Sequence, residues 1–291
     1  NMIKISDLFK ASDEHSSLLP KVIFDSAILS RNIIEGLHAS KVSGKGEDFW
    51  QFKEYRQGDS LSSIDWRKSA SLNKVLVKQK ENETAKTIYF YFDKTKSMFF
   101  KSKKNLQSKY QIAVLLLLTL SRLFLKNREN VLHFKTNKSI IKCSNDLSSF
   151  TESFLFEEDR INYPDKSLIA NNAICFIISD FLYDIKTVNN FLINLKQKNI
   201  SGFLIQILDP LEINFSIKEN LILNDLETNA KLRVGDSNKF KDFYDKKLKN
   251  LQNNLNDLCK SSNWTYVLHN TGKNIKPVLL EICKSITIKK K

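Results

Sequence analysis

Residues Thr87–Phe92, TIYFYF, constrain this chain more than any other stretch. Ile88, Tyr89, Phe90, Tyr91 and Phe92 follow one another with no polar position among them. A run that offers no polar face reads as a strand buried on both sides, which is the situation of a central strand in a parallel sheet. The run stops at Asp93, and an oxygen-rich loop follows with Asp93, Thr95 and Ser97 at alternate positions. A helical pattern from about Asn105 to Lys126 comes next. Strand, oxygen-bearing loop and helix in that order is how an open α/β sheet presents a site at the carboxyl ends of its strands.

The remaining pattern agrees. NVLHF (130–134) and SIIKC (139–143) read as two strands across a short polar turn, and residues 146–157 as a helix capped by Asn145. AICFIISDF (173–181) is a second wholly apolar strand, closing on Asp180. A helix near 186–198, the strand GFLIQILD (202–209) broken by Pro210, a strand pair over 220–234, a helix from Lys239 to Cys259, the strand WTYVLH (264–269) and a helix over 275–285 complete the order. Alternation of this kind predicts a doubly wound, mostly parallel α/β sheet covered on both faces.

The chain divides near residue 85. Residues 86–291 are expected to form the α/β domain, and residues 1–85 an N-terminal helical and irregular extension packed on it. Val22, Ile23, Ala27, Ile28, Ile33, Ile34 and Leu37 give mixed helical spacing over 21–37. Residues 43–83, dense in glycine, aromatics and paired charges, look irregular and end in a strand near Val75–Lys80.

Composition narrows the function. The net charge of +14 would suit nucleic acid, but the lysines are spread along the whole chain instead of being concentrated on one element with interleaved aromatics, and no nucleic-acid partner is expected. The apolar run from Ile112 to Leu125 is too short to span a bilayer and contains Arg122, so it reads as a buried helix. Cys143, Cys175, Cys259 and Cys283 lie far apart, without metal or redox spacing, and a cytoplasmic location with reduced thiols is expected. His15, His38, His133 and His269 are scattered, and neither a catalytic triad nor a phosphate-cradling glycine loop is recognisable. The chain is expected not to be an enzyme.

The strand-DxTxS-helix pattern is similar to the first motif of von Willebrand factor A-like domains, with Asp180 matching that family's distal aspartate. Upstream, Gly44-x-Gly46-Glu47, Phe49, Tyr55-Arg56, Gly58-Asp59, Ile64-Asp65-Trp66 and Ser69-Ala70 resemble the signature of the bacterial domain-of-unknown-function family 58, in which such a segment precedes a von Willebrand A-like core. Thr95 stands where the family usually has serine, Ser63 and Ser71 where it often has arginine, and no second-motif threonine is recognisable between Ile141 and Pro164. The resemblance implies a non-enzymatic adaptor with a degenerate metal-ion-dependent adhesion-type site, working with a MoxR-type AAA+ ATPase or its client. The alternative is an Mg-dependent hydrolase using Asp93 and Asp180.

Two readings of each motif stand side by side. Asp93, Thr95, Ser97 and Asp180 could hold Mg²⁺ weakly, since hydroxyl and carboxylate oxygens suit a hard cation; otherwise they cap the following helix and satisfy the loop backbone. Lys94 and Lys96 oppose a metal there. Arg56, Gly58, Asp59, Asp65 and Trp66 could form a partner surface; otherwise the aspartates hold turns and Trp66 is a buried anchor.

Overall fold

The computed structural model describes residues 25–31, 33, 50–72, 74–80, 85–136, 139–143, 163–215, 221–224, 231–234 and 237–289. The chain separates into two compact units, one of residues 36–85 and one of residues 1–35 with 86–291. The helix expected at 146–157, the Gly44–Phe49 part of the signature and Thr151 lie outside the described residues.

The first described element of the larger unit is a helix over 25–31, α1, whose Ser26 hydroxyl accepts from Arg122 Nε at 3.1 Å. In the smaller unit, β1 (Trp50–Glu54), α2 (Trp66–Leu72) and β2 (Leu76–Lys80) follow, with β1 and β2 antiparallel. Two of these elements, β1 and α2, occupy a stretch expected to be irregular. Both are short, and β1 pairs only with β2 in a two-stranded sheet of its own, so neither shows the continuous apolar run that marks a core element. Asp59 closes the turn at Gly58, accepting from Arg56 N at 2.9 Å, and Gly58 sits at φ 110°, which a side chain would strain. Asp65 caps α2 by accepting from Lys68 N at 3.0 Å.

Trp66 does not play the expected part of a buried anchor. Its side chain is 66% exposed. The inward position of α2 belongs to Ser69, whose hydroxyl donates to Asp65 O and accepts from Leu76 N, at 2.7 and 2.8 Å. A short helix fastened by a hydroxyl leaves its aromatic residue outside.

The larger unit continues with β3 (Thr87–Phe92), α3 (Lys109–Lys126), β4 (Asn130–Thr136), β5 (Ser139–Lys142), β6 (Ile174–Ser179), α4 (Ile185–Lys196), β7 (Ser201–Leu208) and α5 (Pro210–Ile213). It ends with β8 (Leu221–Asn224), β9 (Lys231–Val234), α6 (Ser237–Ser261), β10 (Trp264–Asn270) and α7 (Lys276–Lys289). The main sheet runs β10-β7-β6-β3-β4-β5, parallel throughout except for the antiparallel β5 edge, while β8 and β9 form a separate hairpin pair. Pro210, expected only to break the chain after β7, opens α5, where its missing N–H costs nothing.

The apolar strands are central, as their composition requires. Phe90, Phe176 and Phe203 stand opposite one another on β3, β6 and β7, with ring centroids 4.9 and 5.0 Å apart. Phe124 of α3 closes on Phe176 at 5.6 Å, so α3 covers this face. Tyr89, Tyr91, Cys175 and Ile177 point the other way, into a cluster with Val188, Phe191, Leu192 and Leu195 of α4 and Leu255 and Cys259 of α6. Helices on both faces make the sheet doubly wound. Numbered along the chain within the sheet, the strands run 3-2-1-4-5-6. The order therefore reverses between β3 and β6, and their carboxyl ends form the topological switch point, the position at which open α/β sheets bind ligands.

At the β10 edge, His269 is 2% exposed, and burial holds its imidazole down at about 4. The folded form stays neutral while an unfolded histidine takes a proton near 6.5, so stability present above pH 6.5 drains away as pH falls toward 4. Denaturant midpoints should drop by the equivalent of about 2 kcal/mol between pH 7 and pH 5 from this residue. His269→Gln should flatten that slope by the same amount, and a slope unchanged in the variant would assign it elsewhere. Buried His133, lowered well below its ordinary value by burial and then by the Lys94 charge, pushes in the same direction.

Candidate functional site

Asp93 follows the last residue of β3, and its backbone N–H donates to Ile178 O of β6 at 2.8 Å. The two strands are neighbours, and this puts Asp93 and Asp180 side by side at their carboxyl ends, close enough for the charge of one to act on the other. Asp93 is 1% exposed. Its Oδ1 accepts from Thr95 N and its Oδ2 from the Ser179 hydroxyl, both at 2.8 Å. Burial, then the negative charge of Asp180, push the Asp93 carboxyl up to about 6, while the bonds from Thr95 and Ser179 pull the other way. Thr95 Oγ1 and Ser97 Oγ lie 3.1 Å apart, and Ser97 is half-buried. The loop thus brings Asp93, Thr95 and Ser97 together as the spacing implies, with the carboxylate engaged in satisfying its own loop.

Asp180 has a partner that does not stand out in the sequence. Lys109, the first residue of α3, is 0% exposed, and its Nζ donates to Asp180 Oδ2 at 2.7 Å and to Glu212 Oε1 at 2.6 Å. Burial alone would lower this ammonium, but the Asp180 and Glu212 carboxylates more than offset it and hold Lys109 above its ordinary value. Glu212, on α5, is pushed up by burial against the opposing pull of Lys109. Its Oε2 accepts from Asp209 N at 2.8 Å, half of a capping box over α5. Asp180 Oδ1 accepts from Leu182 N at 3.2 Å, and Gln206 Nε2 donates to Asp180 O at 2.7 Å. Gln206 is in turn fixed by Tyr266, whose hydroxyl donates to its Oε1 at 2.6 Å.

Lys109 carried a signal of its own. It is in helical phase with Ala113, Leu116 and Leu120, all 0% exposed, so its side chain starts on the buried stripe of α3. It also lies at the helix N-terminus, the end whose dipole opposes a cation. A lysine so placed requires carboxylates. Which ones supply them is a matter of tertiary folding, since Asp180 and Glu212 are 71 and 103 residues away.

The arrangement can be tested against the divalent cation that the family resemblance implies. A Mg²⁺ bonded to Asp180 Oδ2 would sit within about 5 Å of the Lys109 ammonium, a repulsion of roughly 7 kcal/mol at an effective dielectric of 20. Every carboxylate oxygen of Asp93, Asp180 and Glu212 already accepts a hydrogen bond from the protein. Lys94, also buried, adds a second positive charge beside the loop, its Nζ lying 5.3 Å over the Phe92 ring. These residues do not fit a resident divalent cation. Among the described residues, no group of three or more histidine, cysteine or acidic side chains is arranged as a metal cluster.

The signature residues of the 36–85 unit are placed differently. Arg56 and Trp66 are exposed, while Asp59 and Asp65 spend their carboxylates on the turn and on the α2 cap. Among the described residues no helix is long and apolar enough to cross a membrane.

Strand order, the aspartates that end β3 and β6, and the helices on both faces together define a doubly wound, mostly parallel α/β domain. Residues 51–145, which span the upstream segment, the Asp93 loop and Lys109, match the family described as Protein of unknown function DUF58. Among solved structures, the chain is similar to one titled "Crystal Structure of the SpRpn10 VWA domain", at 12% identity and a TM-score of 0.34, covering 68% of this chain and 94% of that one. No curated protein matches the chain.

Proposed function

We propose that this protein is a non-enzymatic, cytoplasmic adaptor whose face at the carboxyl ends of β3 and β6 engages a MoxR-type AAA+ ATPase or that ATPase's client. The observation that carries the reading is the mutual engagement of the charged groups there. Asp93 is held by Thr95 and Ser179, and Asp180 by Lys109 and Leu182. Groups buried and bonded in this way brace the loops after β3 and β6 from within, and so hold the exposed surface around Leu182 in one shape for a partner. The partner class is what the resemblance described above implies, and the DUF58 match over residues 51–145 supports that resemblance. Leu182, 42% exposed directly after the Asp180 loop begins, gives the rim an apolar contact.

The test is direct binding between the purified chain and the AAA+ ATPase encoded nearest to it. Binding should weaken at least about tenfold, a loss of about 1.4 kcal/mol or more, on Leu182→Asp. Trp66→Ala, made in parallel, measures any contribution from the exposed tryptophan of the 36–85 unit. Absence of binding, together with Mg-dependent hydrolysis that Asp93→Asn and Asp180→Asn both abolish, would replace this reading with the hydrolase.

A further inference from the structure

We propose that Lys109 is the resident cation of the switch point: its ammonium, held between Asp180 and Glu212, takes the charge position that the family resemblance gives to a divalent metal, and the protein works without one. This inference does not rest on the adaptor reading. It would hold equally for a domain with another partner.

Three observations converge on it. Lys109 is 0% exposed, and its two contacts of 2.7 and 2.6 Å are those of charge-assisted hydrogen bonds. The carboxylates around it are fixed by further bonds, Glu212 through Asp209 N and Asp180 through Leu182 N, so the cage is built independently of the lysine. Finally, the ammonium stands at the N-terminal turn of α3, where the helix dipole disfavours it. Only the opposing anions make that placement stable. A metal at Asp180 would have to displace an ammonium that cannot reach water without unpacking the start of the helix.

The oxygen loop then acquires a different role. Asp93 and Thr95 need not reach a metal, and their bonds run within the loop and to Ser179. The loop shape is therefore set by backbone and hydroxyl donors, and the switch point keeps one conformation whatever the Mg²⁺ concentration. Partner carboxylates would have no metal to bridge to. Recognition at this face would run through shape, hydroxyls and the apolar rim.

Mn²⁺ and Mg²⁺ titrations of the full chain test this, read by the paramagnetic resonance of free Mn²⁺ and by the melting temperature. The wild type should take up no Mn²⁺ at this site at about 1 mM and show no metal-dependent shift in melting temperature. Lys109→Met removes the ammonium and keeps the length of the side chain; it should gain an Mn²⁺ site and melt on the order of 5 °C higher with the metal than without it. A saturable wild-type site that Asp93→Asn and Asp180→Asn abolish would overturn the proposal, as would a folded Lys109→Met that stays as indifferent to Mn²⁺ as the wild type. Mn²⁺ bound but unaffected by Asp180→Asn lies elsewhere and leaves the inference standing. If Lys109→Met does not fold, the wild-type titration decides alone.

Discussion

Replacing Lys109 by alanine should destabilise the protein by about 3–5 kcal/mol, the range for breaking a buried ion pair by removing one partner. Asp180, in the loop after β6, and Glu212, on α5 after β7, would be left facing each other with no counter-charge. The cost comes from stranding buried carboxylates, and the ion pairs themselves contribute less than that figure. A second substitution exposes the difference. In the Lys109→Met background, adding Asp180→Asn should recover part of the loss, because the neutral amide no longer needs the ammonium. Urea unfolding of the two single variants and the double variant measures the coupling. If the losses simply add, Lys109 and Asp180 do not depend on each other and the triad is incidental.

The elements that sequence makes legible are those whose burial is complete. TIYFYF and the AICFIISDF run are strands because no polar face interrupts them, and β3 and β6 lie at the centre of the sheet. The site aspartates were legible for the same reason, since each ends such a run. β1 and α2 were not, because an antiparallel pair and a seven-residue helix outside the main sheet need no continuous apolar stretch. Trp66 misleads for a related reason: aromatic content favours burial on average, yet here a serine takes the inward position. The partner of Asp180 was hidden in another way. Lysine is counted as surface by default, and only its phase with Ala113, Leu116 and Leu120 places it inside. Glu212 was obscured by Pro210, which reads as a terminator when Asp209-Pro210-Leu211-Glu212 is in fact a capping box.

Phe176→Ala should cost about 3–5 kcal/mol, the usual range for emptying a large aromatic position in a core. Phe176 is 0% exposed at the middle of β6, between Phe90 at 4.9 Å and Phe203 at 5.0 Å, with Phe124 of α3 above them at 5.6 Å. Three neighbouring rings lose a contact at once, and strands held in register on both sides cannot close the gap. Phe243, 55% exposed on α6, is the control, and its replacement by alanine should stay within about 0.5 kcal/mol. The consequence reaches the switch point. β6 carries Ser179 and Asp180 at its end, so a strand loosened at Phe176 should also weaken the Ser179 bond to Asp93 and the Asp180 bond to Lys109. Hydrogen exchange at the amides of Thr95 and Leu182, which report on those two carboxylates, should then quicken in Phe176→Ala. A variant that loses the full stability while those amides keep their wild-type protection relative to the sheet would show that the switch-point loops are braced by α3 and α5, independently of the phenylalanine ladder.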